Sequence, residues 1–252
     1  MLASFGTRAD ESVLLTDLHT FRISNFVGLA AYYQFSASGD TVILNEVVAS
    51  VNSANNSINA INENNSEVLT EAQLAGLTTE FDKYKELMRQ NINDVRQQGY
   101  PDMRLMSEMA NQAQALSTIS TKLYTRARES SRTDSDRRIE AARSAAVLMA
   151  QMMSKYSARS NSSVAQTFQG ADTEVPLDEQ AKVFDALMVE LKADDNAGGL
   201  KQAIDGVSSK WQFIRSSYIN YNDDNVPFII DRYSKGILEG LSETIGLLHQ
   251  PV

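Results

Sequence analysis

Apolar side chains recur at alternating intervals of four and three residues along much of this chain. The clearest series steps by 4, 3, 4, 3, 4 and 3 residues through Leu200, Ile204, Val207, Trp211, Ile214, Tyr218 and Tyr221. This spacing puts apolar side chains on one stripe of an α-helix and is typical of helices packed nearly parallel, whereas a half-buried strand alternates every second residue.

Two other segments have the same kind of apolar stripe. Their members are Leu77, Phe81, Tyr84, Met88 and Val95 in one, and Ile139, Ala142, Ala146, Met149, Met153 and Tyr156 in the other. Looser stripes run through residues 12–36, 41–62, 102–126, 178–193 and 228–248. The sequence therefore predicts an all-α fold of about eight helices with no strand.

Prolines and a capping motif mark where helices begin. Pro101, Pro176 and Pro227 each stand at a potential helix start, where the missing N–H of proline costs no hydrogen bond. Thr70 and Gln73 have the spacing of a capping box. These signals separate the apolar stripes into individual helices.

The two halves of the chain resemble each other. Residues 76–81, GLTTEF, align with residues 206–211, GVSSKW, at an offset of 130 residues. Each copy is followed by further helical residues, a turn with Pro101 or Pro227, and another amphipathic helix. We therefore predict tandem four-helix bundles, with residues 1–128 in the first and residues 129–252 in the second. The alternative is a chance similarity between amphipathic helices.

The predicted boundary between the bundles is strongly charged. Residues 122–143 contain seven cations and four anions, a net charge of +3 in a chain whose net charge is −9. Because residues 130–136 have no apolar stripe, we expect a linker there, or the exposed part of one long charged helix that joins the bundles. The charges indicate either a solvated face or a patch for an anionic partner.

Composition excludes several classes of function. The 252 residues include 32 Asp and Glu against 23 Lys and Arg, and this acidic balance disfavours nucleic-acid binding, which needs clustered cations. No apolar run approaches the ~18 residues of a membrane span, and residues 1–12 lack the basic and apolar regions of a signal peptide. The absence of Cys excludes disulfides and thiolate metal sites.

Motifs for catalysis are also absent from the sequence. Neither His19 nor His249 follows a Glu by three residues, as the Glu-x-x-His motif of di-iron bundles requires. No HExxH, P-loop or Rossmann glycine pattern occurs. Gly236 and Gly240 form a Gly-x-x-x-Gly, which outside a membrane indicates close helix packing more often than a site. We therefore predict that the protein is not an enzyme and has no catalytic residue, metal site or cofactor.

Cationic and polar residues beside the apolar stripes are better candidates for a site. A helical bundle that binds a small anion must place hydrogen-bond donors between its helices. Arg143, Gln151 and Lys155 lie at steps of eight and four residues, on one side of the fifth predicted helix. Trp211 and Arg215 lie one turn apart on the seventh, so the guanidinium is expected to reach over the indole.

The first bundle has one corresponding candidate. Arg22 follows Leu18 and Phe21 on the first predicted helix. A structural role is the alternative for all of these residues, since a Trp on a regular apolar stripe is usually part of the core and an Arg beside it usually lies at the rim.

Part of the chain resembles a family of sensor domains. The segment from Arg143 to Tyr156, RSAAVLMAQMMSKY, resembles the first-helix signature of PilJ-type domains, found at the N-terminus of type IV pili methyl-accepting chemotaxis transducers. Trp211, in SSKWQF, resembles a Trp that a later helix of that family carries. Residues 15–22, LTDLHTFR, more loosely resemble the opening of helical bimodular chemoreceptor sensor domains. Met152 stands where the signature has its second Arg, a departure from the family's pattern.

The resemblance implies a signal-input module. Both families are all-helical and extracytoplasmic and sense small molecules, so a small anionic ligand bound between helices is expected. A second copy of the chain is a further expected partner, and nucleic acid is not. The expected location is the periplasm if the chain is an excised sensor module, and the cytoplasm if the chain is complete as written. The alternative function is a non-catalytic interaction or assembly protein with no small ligand.

Overall fold

The computed structural model describes residues 6–65, 68–130, 136–161, 175–193, 197–223 and 225–249, with side chains from residue 13 onward. Eight α-helices run through these ranges: α1 (Gly6–Ser38), α2 (Thr41–Glu63), α3 (Glu71–Gln98), α4 (Met103–Ser130), α5 (Arg137–Asn161), α6 (Leu177–Leu191), α7 (Gly198–Ile219) and α8 (Pro227–Leu248). The same ranges contain no strand. The predicted all-α fold is therefore confirmed.

Local signals set several helix ends where the sequence predicts them. The backbone N–H of Gln73 donates to Thr70 Oγ1 over 3.3 Å, and the backbone N–H of Thr70 donates to Gln73 Oε1 over 2.9 Å, which completes a capping box before α3. Pro176 is the N-cap residue of α6, and Pro227 is the first residue of α8. Gly99 ends α3 with a φ of 84°, a left-handed conformation that favours glycine.

Packing contacts divide the chain into two units, residues 1–134 and residues 135–252. In the first unit, α1 packs on α2 and α4, while α3 packs on α4 and more sparsely on α2. In the second unit, α5 and α7 each pack on α6 and α8. Each unit is a four-helix bundle whose first and last helices close the ring. The boundary predicted at residues 128 and 129 lies six residues before this division.

The charged stretch between the bundles is described only in part. Helix α4 ends at Ser130 and α5 begins at Arg137, while residues 131–135 of the predicted linker lie outside the described residues. Arg138 forms an ion pair with Asp136 at 2.8 Å, and Arg137 forms one with Glu190 of α6 at 2.9 Å. These pairs fix the start of α5 within the second unit.

Small side chains let α1 and α2 approach closely in the first unit. A Cβ atom placed on Gly28 would lie 3.3 Å from the Cβ of Ser50, closer than ordinary van der Waals contact. Ser24 Oγ donates to Ser53 Oγ over 3.0 Å in the same interface. The backbones of these helices are therefore held at a distance that larger side chains would not allow.

Two buried polar layers cross the first unit. The Tyr84 hydroxyl donates to the backbone carbonyl of Asn25 over 3.2 Å, and Asn25 Nδ2 donates to the carbonyl of Ala113 over 2.8 Å. Seven residues further along α1 and α3, the Tyr32 hydroxyl donates to Asn91 Oδ1 over 3.3 Å, and Asn91 Nδ2 donates to a carbonyl of α4. Burial raises the pKa of both tyrosines, so their hydroxyls remain protonated donors. The matched spacing of the layers specifies the register of α1 against α3.

Aromatic rings fill the middle of the second unit. The rings of Trp211 and Phe184 have centroids 4.4 Å apart, and Tyr156 meets Tyr218 edge to face at 5.5 Å. The Tyr218 hydroxyl shares a 2.9 Å hydrogen bond with Ser234 Oγ. Three of these rings lie on α5 and α7, the diagonal helices of the bundle, which the aromatic side chains link across its centre.

The Gly-x-x-x-Gly of α8 lies against α7. A Cβ atom placed on Gly240 would come within 2.6 Å of Val207 Cγ2, and one placed on Gly236 would come within 3.0 Å of the Lys210 side chain. These glycines therefore serve close helix packing in the second unit, the more common role of this motif outside a membrane.

We expect Gly240→Ala to lower the free energy of unfolding by about 1–3 kcal/mol, the usual cost of overpacking. Val207 is β-branched and has little rotamer freedom in a helix with which to move away. Chemical denaturation followed by circular dichroism measures this change.

Gly206→Ala is the matched control on α7. Its added methyl group would meet only the flexible end of Lys210 at 3.8 Å, so the higher helix propensity of Ala should stabilise the protein by about 0.5–1 kcal/mol. Equal effects of the two substitutions would contradict the described packing.

Candidate functional site

Two hydrogen-bond donors of α7 converge on one carboxylate of α6. Trp211 Nε1 donates to Asp185 Oδ1 over 2.8 Å. Arg215 binds the same carboxylate in a bidentate manner, with Nε 2.9 Å from Oδ1 and a terminal nitrogen 2.7 Å from Oδ2. The side chains of Arg215 and Asp185 are 41% and 33% exposed, so this group lies at the surface where α6 meets α7. We call these three residues the carboxylate clamp.

Helical spacing and the aromatic core position the carboxylate clamp. Trp211 and Arg215 are one turn apart on α7, so their side chains leave the same face of the helix. Phe184 packs on the Trp211 ring inside the bundle, and Asp185, the next residue, is thereby brought to the outer edge of the indole. The core thus sets the position of a polar group at its own boundary.

The ionisation of the carboxylate clamp follows from its contacts. Partial burial raises the pKa of Asp185, but the hydrogen bonds from Arg215 and Trp211 more than offset this and hold the pKa below its ordinary value of 3.8. The same contact raises the pKa of Arg215. Both groups are therefore charged at neutral pH, and the arrangement is one that recognises a carboxylate.

The structure places Arg215 differently from the sequence-based expectation. The sequence predicts that the guanidinium lies over the indole. In the structure, the guanidinium and the indole N–H instead lie side by side, and both donate hydrogen bonds to Asp185. Asp185 precedes Trp211 by 26 residues and lies on another helix, so residue spacing within one helix does not indicate that these two residues are partners. The only available signal is that an acidic residue directly follows the buried Phe184.

The three α5 candidates are spread over about half of the helix. Arg143 is 3% exposed and has Glu140 Oε1 at 3.4 Å. Gln151 is half-buried. Lys155 Nζ donates to the backbone carbonyl of Val175 over 2.8 Å. Arg143 and Lys155 are separated by about 18 Å of helix at 1.5 Å per residue, so these side chains do not meet in one small site.

Arg22, the candidate of the first unit, lies over an aromatic ring. Its guanidinium carbon is 4.8 Å from the centroid of the Tyr124 ring of α4. A cation held in this way stabilises contact between α1 and α4. Arg22 therefore belongs to a different unit from the other five candidates.

Several buried polar atoms have no hydrogen-bond partner. In the second unit, these include Oε1 of Gln180 and Oγ of Ser208. In the first unit, Oδ1 of Asn25 and Oδ2 of Asp94 are likewise buried without a hydrogen-bond partner. Gln180 is buried one turn before Phe184 on α6, close to the clamp in sequence. Because most buried polar atoms in proteins are hydrogen-bonded, each of these atoms carries a desolvation cost in the folded protein.

A groove between α3 and α4 was not predicted from the sequence. It has a volume of about 700 Å³, and Leu87, Glu86 and Glu108 are among the residues that line it. Glu86 bonds to Arg89 at 2.6 Å, and Glu108 bonds to Arg104 at 2.6 Å. Because more acidic than basic side chains line this groove, it does not suit an anionic ligand.

The described part of the chain lacks two other kinds of functional feature. None of its helices is long and apolar enough to span a membrane. In the same ranges, no group of three or more His, Asp or Glu side chains is arranged to hold a metal ion. Comparison of the chain with protein-family models, with curated proteins and with solved structures finds no match. The function is therefore inferred from the fold and from the geometry of the carboxylate clamp.

We expect the clamp to contribute stability that disappears in acid. Since the pKa of Asp185 is lowered in the folded protein, its contribution is fully present above pH 3.8 and is lost as the pH falls through the folded-state pKa. Denaturation of the wild type and of Asp185→Asn at a series of pH values measures it. The difference in unfolding free energy, about 1 kcal/mol at neutral pH for so exposed a pair, should shrink as the pH falls below 3.8. A difference that stays constant in acid would contradict this assignment.

Proposed function

We propose that the chain is a non-catalytic, small-molecule-binding signal-input module, similar in function to a chemoreceptor ligand-binding domain. The carboxylate clamp carries this proposal. It shows two donors of one helix, an indole N–H and a guanidinium, already arranged around a carboxylate at a half-exposed position. The ligand class that fits these donors is a small molecule with a carboxylate, in keeping with the expected anion.

The internal carboxylate is a competitor that such a ligand can displace. A solvent-exposed ion pair contributes about 0.2–1 kcal/mol, because water and side-chain entropy offset most of the Coulomb attraction. Displacing Asp185 from Arg215 therefore weakens ligand affinity by about fivefold at most, at 1.4 kcal/mol per factor of ten. A ligand that makes further contacts between α6 and α7 overcomes this difference.

Exchange of carboxylates gives the module a way to respond. Asp185 joins α6 to α7 through the clamp, so a ligand that takes its place on Trp211 and Arg215 releases α6 from this contact. Binding then favours helix arrangements in which α6 and α7 are not joined by the clamp. The ratio of the ligand's affinities for the joined and unjoined arrangements sets how far their populations shift.

The remaining sequence candidates have weaker support as ligand contacts. Arg143 is buried beside Glu140, and Lys155 is bonded to a backbone carbonyl. Gln151 is half-buried between them on α5, and Arg22 lies over an aromatic ring of the first unit. We retain Trp211 and Arg215 as the principal contacts, together with a homodimeric state. The proposed location is the periplasm for an excised sensor module and the cytoplasm for a complete chain.

Thermal shift in the presence of small carboxylates tests the proposal. A ligand at about 100-fold above its Kd stabilises the protein by about 2.7 kcal/mol, which corresponds to a rise of several degrees in Tm. Arg215→Ala should abolish this rise. Asp185→Asn removes the internal competitor and should strengthen binding by about fivefold, as measured by isothermal titration calorimetry.

Arg104→Ala is the matched control, because it removes another exposed guanidinium–carboxylate pair, in the first unit. It should leave carboxylate binding unchanged. If no carboxylate raises the Tm of the wild type, or if all variants respond like the wild type, the proposed site is wrong.

A second function is favoured by a different observation. Phe213 of α7 and Phe228 of α8 are 57% and 75% exposed, which is unusual for such large apolar side chains. An interaction or assembly protein with no small ligand would use such a surface. Oligomer formation together with a complete lack of response to carboxylates would support this function over the sensor.

A further inference from the structure

An exposed apolar cluster lies at one end of the α7–α8 pair. Phe213 and Tyr233 have ring centroids 4.5 Å apart, and Phe228 and Ile229 are exposed at the start of α8. We call this group the aromatic end. Burying it would remove several hundred Å² of apolar surface from water, by the usual area of an aromatic side chain.

Charged residues continue from the aromatic end along α8. Phe228, Arg232, Glu239, Glu243 and Gly246 follow one another at steps of four, seven, four and three residues, so they form one exposed stripe about 27 Å long at 1.5 Å per residue. Within the described ranges, the charges of Arg232, Glu239 and Glu243 make no ion pair, whereas Lys235 of the same helix pairs with Asp231 at 2.7 Å. The stripe therefore carries a cation in its first half and anions in its second half, all available to a partner.

Arg232 and Glu243 of this stripe are complementary in reverse, whereas Glu239 has no cation opposite it. If a second stripe runs antiparallel, with a two-fold axis near the level of Ile237, Arg232 of each copy lies opposite Glu243 of the other. The same operation places each Phe228 against the other copy's Gly246, where the missing side chain leaves room for a ring. Reciprocal contacts of this kind define an isologous two-fold interface.

The area of the face agrees with such an association. Helices α7 and α8 have 22 residues each, so side by side they present a face of about 33 by 20 Å. Two such faces bury about 1,300 Å², near the lower limit of specific interfaces. The association is therefore expected to be reversible.

We propose that the chain forms a two-fold homodimer through the outer face of α7 and α8, with α8 antiparallel to α8 of the second copy. The inference rests on the homodimer of the proposed function and names its surface. Arg232 and Glu243 form the reciprocal ion pairs, and the aromatic end packs over the glycine at the opposite end of the partner helix.

Sedimentation equilibrium of the full chain tests the dimer and its orientation. The wild type should change with concentration from 27.8 kDa toward twice this mass. Arg232→Glu and Glu243→Arg should each raise the dissociation constant by about tenfold or more. Each substitution replaces both ion pairs of the dimer with two pairs of like charges. An equimolar mixture of the two variants should recover wild-type association, since both ion pairs of the mixed dimer are then of opposite sign.

Two control variants separate the α7–α8 face from effects of net charge and of stability. Arg96→Glu makes the same change of charge on an exposed residue of α3 and should leave association unchanged. Phe228→Ser should weaken association without lowering the Tm measured at a concentration at which both proteins are monomeric, because the side chain is mainly exposed. A monomeric wild type at all concentrations, or a mixture that associates no better than its components, would overturn the proposal.

Failure of the dimer is distinguishable from failure of the sensor. The carboxylate clamp belongs to α6 and α7 of a single chain. Carboxylate binding measured with Arg232→Glu therefore tests the clamp in the monomer, and the association of the wild type without ligand tests only the α7–α8 face.

Discussion

Burial of one apolar stripe on each helix is the constraint on which both bundles depend. A helix of 15 to 33 residues has a marginal stability by itself in water, so it persists because its stripe is packed against neighbours. In the second unit, this requirement brings Phe184, Trp211 and Tyr218 together in the core. The polar groups at the edge of the core, including the carboxylate clamp, take their positions from these rings.

Each bundle adds a specific device to this general packing. The first unit uses buried amide and phenol layers, in which Asn25 and Asn91 bind partners on α3 or α4. The second unit uses Gly236 and Gly240 of α8, which leave room for the side chains of Val207 and Lys210 of α7. Apolar stripes alone permit several helix registers, whereas a buried hydrogen bond or a close backbone approach permits one. The two units share a topology and differ in how its register is specified.

The contacts of the cationic residues bear on what the protein binds. In the structure, Arg215 is already paired with Asp185 of the same chain. Although Asp185 occupies the donors of Trp211 and Arg215, their arrangement still shows the geometry in which they hold a carboxylate. The carboxylate clamp therefore gives a more specific hypothesis for the ligand than the charge of Arg215 alone, and it provides a structural link that a ligand can break.

The sequence by itself determined the helices and several of their ends, because apolar spacing, the Thr70–Gln73 capping box and the prolines act over a few residues. It also identified Trp211 as a member of an apolar stripe, which the structure buries. It did not reveal Asp185 as the partner of Trp211 and Arg215, or the ring contact of Phe213 and Tyr233 in the aromatic end. Those contacts join different helices, and their existence depends on the relative rotation and register of packed helices. Only tertiary packing fixes these two quantities, since many rotations satisfy the same apolar pattern.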